Sequence, residues 1–249
     1  MKSFEPLSAA SREQRVAELR QQLRQFEQDR RPVGETSLST GCGPLDRLLP
    51  GGGLSRGGLV EWLAAGAGSG AASLALVAAR GACREHGSLV VIDGRGTFYP
   101  PAAALAGIEL EGVLVVRAEQ AGDEAWALDQ ALRSMGVGAV FCQSDRLHPR
   151  AVRRLQLAAE SSGGLGLLVR PETARQEPCW AEARLLVRPL PTVKSPMGSK
   201  GARRLRVELL RARGGAGGRS VDLEIDDEKG VVCLAAELAA AAAERRSGA

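Results

Sequence analysis

The sequence predicts an α/β fold: a mostly parallel sheet flanked by helices, extended by antiparallel strands toward the C-terminus and preceded by an amphipathic helix. Three observations carry that reading. Four continuous apolar runs, at residues 89–93, 112–117, 139–143 and 165–170, are separated by helical segments. Strands without a polar face belong to a parallel sheet covered on both sides. After Pro171, strand-like runs at 184–190, 204–211 and 220–225 follow one another with no helix between them, which reads as an antiparallel extension. Finally, 249 residues with 44% hydrophobic content can bury one sizeable core.

Taken in order, the first element is a helix over residues 11–28, where Val16, Leu19, Leu23 and Phe26 recur at helical spacing among charged neighbours. Pro32 and Gly34 end it. Glycines and Pro44 then enclose Leu45, Leu48 and Leu49, enough for one or two helical turns. A strand at 59–63 leads through the loop 64–70 into a helix over 71–86, with Gly87 as its stop. The central strands and the three late ones follow, the latter interrupted by a Pro, Ser, Gly and Lys loop at 191–201. An Ala-rich helix over 235–244 and a frayed end close the chain. The expected organisation is a helix and linker at 1–34, a core at 35–232, and a C-terminal helix and tail at 233–249.

Composition narrows the function classes. Lys and Arg total 33 against 29 acids, a net charge of +4, which permits phosphate contact without demonstrating it. No long apolar run follows Met1, so neither a signal peptide nor a membrane span is expected. Five cysteines are scattered, several inside apolar runs, as buried thiols in a reducing cytoplasm would be. Cys83 and His86 lie at i and i+3 but lack a second pair of ligands, so no metal site is expected. Ser144, Asp145 and His148 hold the residue types of a hydrolase triad without an elbow motif around the serine.

The candidate site is the loop after the first strand. A strand, a glycine-rich loop and a helix can place backbone amides and a helix N-terminus around a phosphate. Here the chain reads Ala65, Gly66, Ala67, Gly68, Ser69, Gly70, Ala71, Ala72. The phosphate-loop motif ends instead in lysine and a hydroxyl residue. Alone, such a loop is equally an ordinary glycine-rich turn.

Its surroundings resemble the RecA core over about residues 38–230. Leu38-Ser-Thr-Gly, Leu45-Asp46, Gly52-Gly53-Leu54, the strand pair Val60-Glu61 and Val91-Ile-Asp93 follow in that order. The resemblance implies that Ala71 stands where the phosphate lysine belongs and Ala72 where the magnesium hydroxyl belongs. It likewise puts Gln143 in place of the magnesium-associated aspartate and Arg95 in place of the carboxylate that activates water, while the strand ending at Arg170 lacks the γ-phosphate-sensing glutamine. Phosphoryl transfer relies on positioning and charge stabilisation, and losing one such electrostatic donor costs about two to three orders of magnitude in rate. A register shift could move a single assignment by one position but restores no lysine, since none lies between Lys2 and Lys194. The expectation is no ATPase activity and no cofactor, with weak ATP binding still open to the amides of Gly66, Gly68 and Gly70. By the same resemblance, Arg211 and Arg213 match paired basic residues that approach nucleotide across a subunit interface. The loops at 144–149 and 172–182 are short for DNA-contacting loops, which disfavours a strand-exchanging filament. Arg150, Arg153 and Arg154 suit phosphate or an acidic partner as well as a solvated face.

Residues 205–215, Leu-Arg-Val-Glu-Leu-Leu-Arg-Ala-Arg-Gly-Gly, are similar to a signature of the ImuA family. That resemblance implies a non-catalytic accessory role in bacterial DNA-damage-induced translesion synthesis. It also implies partnership with an ImuB-like Y-family polymerase homologue and an error-prone replicative-type polymerase α subunit, with DNA or RecA contact and self-association as further expectations. Leu19, Leu23, Phe26, Leu234 and Leu238 are the expected contact residues. Two other readings remain, a RecA-like ATP-dependent recombinase and a structural interaction protein such as a cell-division inhibitor.

Overall fold

The computed structural model describes residues 37–118, 120–191, 202–215, 217–226 and 231–234. The expected helix at 11–28 with Leu19, Leu23 and Phe26, the loop at 192–201, and the tail helix with Leu238 lie outside the described residues.

In chain order the elements are α1 (Gly43–Leu48), β1 (Leu59–Ala64), α2 (Ala71–His86), β2 (Ser88–Ile92), α3 (Pro100–Leu105), β3 (Val113–Val116) and α4 (Ala121–Arg133). Then come β4 (Val137–Gln143), α5 (Pro149–Ser162), β5 (Leu165–Pro171), a 3-10 turn (Glu172–Gln176), β6 (Ala183–Leu190), β7 (Ala202–Ala212), β8 (Arg219–Asp226) and β9 (Val231–Leu234). The nine strands form one sheet in the order β3-β2-β4-β5-β1-β6-β7-β8-β9.

The expected architecture holds, with two corrections at its C-terminal side. β6 runs parallel to β1, with Glu61 opposite Arg184, and only its other edge pairs antiparallel with β7. The antiparallel part therefore starts at β7. The reason is the connection: residues 172–182 return the chain to the far end of the sheet with a 3-10 turn and extended backbone, so a parallel crossover exists without the helix that usually announces one. Second, Leu234 belongs to β9, paired with Leu223 of β8, so the sheet continues across the boundary expected at 232/233. The run Val231, Val232, Cys233, Leu234 has the β-branched, apolar character of a strand.

Two apolar layers cover the sheet. On one face α1, α2 and α3 pack with Trp62, Phe141, Leu185 and Leu205. On the other, Leu128 and Leu132 of α4 and Val152 and Leu155 of α5 meet Leu59, Val90, Val140 and Leu168. Beyond α5 the layer narrows to Ala174 of the 3-10 turn against Leu63 and Leu186. Past that, β7 alternates: Leu205, Val207 and Leu209 are buried, while Arg206 is exposed on the opposite face, as one-sided strands require. The helix ends follow their sequence signals. Pro149 opens α5, and left-handed Gly163 closes it.

Candidate functional site

β1 carries the chain to the C-terminal edge of the sheet, where ligands bind in open α/β folds. The amide of Ala65 still pairs with the Val187 carbonyl at 3.1 Å. Gly66, Gly68 and Gly70 then take φ of 141°, 72° and 84°, conformations that L side chains resist. A Cβ on Gly70 would stand 2.4 Å from Cδ1 of Leu205, so β7 packs directly on the loop. The loop is also closed on itself. The Ser69 amide donates to the Gly66 carbonyl at 3.3 Å, and buried Ser69 Oγ accepts from the Ala71 amide at 3.4 Å. Ala71, the first residue of α2, is 1% exposed and packs in the core. Ala72 is half-buried against the same layer. Two of the turn's amides are thus engaged internally, and the two residues that follow it, Ala71 and Ala72, end in methyl groups.

The neighbouring loops hold further residues singled out from the sequence. Asp93, at the end of β2, accepts from the amides of Thr97 and Phe98, both at 3.0 Å, and from Arg117 at 2.8 Å. Burial pushes its carboxyl up, but the two amides and the guanidinium outweigh that and hold it below its ordinary value. Asp93 is thus a fastener for its loop. Arg95 forms an ion pair with Asp145. That pair joins the loop after β2 to the loop after β4, two residues beyond half-buried Gln143. Arg170, near the end of β5, turns inward: it is 2% exposed, 3.4 Å from Glu61 and 2.7 Å from Glu177. Glu61 is fully buried and also holds Arg184, whose Nε donates at 2.6 Å, while Arg184 Nη1 reaches the carbonyls of Arg175 and Glu177 at 3.1 and 2.9 Å.

The sequence reading missed this buried Glu61, Arg170 and Arg184 cluster. Its signal was present, since a glutamate inside the apolar run of β1 and arginines in the flanking strands must neutralise one another once covered.

A search among curated proteins finds Protein ImuA of Caulobacter vibrioides, in two strains, at 34% identity over 73% of this chain and 80% of the relative. The chain belongs to the ImuA family. No family model matches it.

In this ImuA-family chain the basic residues singled out from sequence go to separate places. Arg211 donates to the Cys179 carbonyl and Arg213 binds Glu160 at 3.0 Å, so both are held within their own chain. Burial raises the Glu160 carboxyl, but the bonds from Gln156 and Arg213 leave it below its ordinary value. Arg153 lies over Trp180, 4.9 Å from the ring centroid. Arg154 reaches Asp129 of α4 at 3.3 Å. Arg150 is exposed and forms no ion pair among the described residues. Ser144, Asp145 and His148 do not assemble: Ser144 Oγ donates to the Arg146 carbonyl, Asp145 pairs with Arg95, and His148 Nδ1 accepts from the Arg150 amide. Cys83 is half-buried, and burial pushes its thiol up to about 11. Burial also raises the thiols of Cys142 and Cys179, which leaves them protonated and unreactive at neutral pH. Among the described residues there is no metal-binding cluster and no helix long and apolar enough to cross a membrane.

Proposed function

We propose that this ImuA-family protein is a non-catalytic accessory in DNA-damage-induced translesion synthesis, working in the cytoplasm through contacts with polymerase partners. Family membership supports the damage-induced mutagenesis setting. The observation that carries the non-catalytic reading is Ala71, a buried methyl group at the head of α2, in a loop that keeps its glycine geometry. Around it, Arg95 is tied to Asp145 and Arg170 to Glu61 and Glu177, so charges that could serve a nucleotide serve the fold. Electrostatic support for a developing phosphoryl charge is thereby missing at each of its usual sources. What persists is a rigid sheet with structured surfaces, which suits an adaptor. The partners are an ImuB-like Y-family polymerase homologue and an error-prone replicative-type polymerase α subunit.

The test is co-purification of the tagged full-length chain with each polymerase partner from the same organism, alongside calorimetry with magnesium and ATP. Stable capture of the ImuB-like partner is expected, with nucleotide binding weak and indifferent to magnesium. Tight magnesium-dependent ATP binding would overturn the non-catalytic reading, and failure to capture either polymerase would overturn the adaptor reading.

A further inference from the structure

We infer that the outer surface formed by α4, α5 and the segment before β6 binds single-stranded nucleic acid, with arginines holding phosphates and two tryptophans stacking on bases. The inference goes beyond the adaptor role and does not depend on it. Aromatic residues make up only 3% of the sequence, and three of them are tryptophans. Trp62 is fully buried, whereas Trp126 and Trp180 are 63% and 46% exposed. Tryptophan is a residue whose burial a fold normally exploits, so two left in water on one side of the sheet call for an occupant.

Their neighbours say which kind. Arg153 lies over the Trp180 ring at 4.9 Å, which presents a cation and a π-face together. One residue on, Arg154 reaches across to α4, 3.3 Å from Asp129 and 3.5 Å from the carbonyl of Ala125, the residue beside Trp126. Trp180, Arg153, Arg154 and the Trp126 region therefore succeed one another across the surface. Arg150 adds an exposed guanidinium one turn earlier, without an ion pair among the described residues. Asp129 is held by Arg133 and Arg154, and Glu160 by Arg213, while Glu124 meets the Cys142 thiol and Glu182 the Ser55 hydroxyl; Asp123 at the start of α4 is exposed. α5 itself is net basic, with Arg150, Arg153 and Arg154 against Glu160. Leu157 is the one exposed large aliphatic residue on α5. Arginine grips phosphate and stacks on planar groups, and aromatic platforms beside a basic track are how single strands are bound without sequence preference.

The experiment titrates the full chain with fluorescein-labelled oligothymidylate, following anisotropy and intrinsic tryptophan emission. Because Trp62 is buried, quenching reports Trp126 and Trp180. Expected are a saturable anisotropy rise, quenched emission, and an affinity that falls about tenfold between about 50 and 200 mM salt. Trp180→Ala and Trp126→Ala should each weaken binding about tenfold, with Trp180→Phe close to wild type. The triple change Arg150→Glu, Arg153→Glu, Arg154→Glu should abolish binding, with thermal melts showing that each variant is folded. No anisotropy change at low salt would overturn the inference. So would undiminished binding by a folded triple variant, or binding of polyglutamate with no binding of the oligonucleotide, which would mark an acidic-protein site instead.

Discussion

Two polar centres of the same sheet have gone opposite ways. At the C-terminal edge of β1 the glycine-rich loop has three glycines at positive φ and carries no charge. Within the sheet, Glu61, Arg170 and Arg184 form ion pairs with one another out of solvent. Shape survives at the loop because glycine and the contact with Leu205 maintain it. Charge is held in the interior because Glu61 would be a lone buried ion without the two arginines. A loop's resemblance to a catalytic motif and its capacity for catalysis are therefore separate properties, one held in the backbone and the other in side chains.

The comparison breaks first at its interior half. Glu61→Ala should strand two buried guanidinium groups and lower unfolding free energy by about 3–5 kcal/mol, measured by urea denaturation. If the loss were no larger than for an exposed residue, the cluster would not be the anchor described. Next is Asp93→Asn, which replaces an ionised acceptor of two amides and a guanidinium and should lower stability by about 1.5–3 kcal/mol. Asp93 is held below its unfolded value in the fold, so its contribution is present above the ordinary carboxylate range and lost as pH falls through the lowered value. Denaturation midpoints followed down through that range should show a shallower acid-side decline in Asp93→Asn than in wild type.

At the loop, Gly70→Ala meets both a φ of 84° and the Leu205 side chain and should cost about 1–3 kcal/mol. Gly68→Ala has open space around it and should lose only about 1 kcal/mol. Equal losses at the two positions would show that the packing of β7 on the loop is unimportant. The smallest effect belongs to the surface: Arg206→Ala removes an exposed pair with Asp222 and should leave the melting temperature unchanged.

Much of this was legible in the sequence. The helix over 71–86 and its stop at Gly87 were read residue for residue, because a glycine-rich loop and a terminal glycine bracket it. The ImuA-type run at 205–215 pointed to the family found by comparison. The parallel pairing of β6 was not legible, since its crossover has no helix. Nor was β9, whose four residues abut an alanine-rich segment. At the candidate site, the identities of Ala71, Ala72, Arg95 and Gln143 were plain, but their contacts were not. That Arg95 binds Asp145 and Arg170 binds Glu61 depends on which strands are neighbours, and spacing along the chain does not encode that.

The measurement closest to the central claim is magnesium-dependent ATP hydrolysis, followed as phosphate release across chromatographic fractions of the purified chain. Wild type is expected to stay at the no-protein baseline. The Ala71→Lys, Ala72→Thr double variant should stay there too, because Arg95, Gln143 and Arg170 still occupy the remaining positions. Turnover that co-elutes with wild type and disappears in Gly70→Asp would contradict the claim.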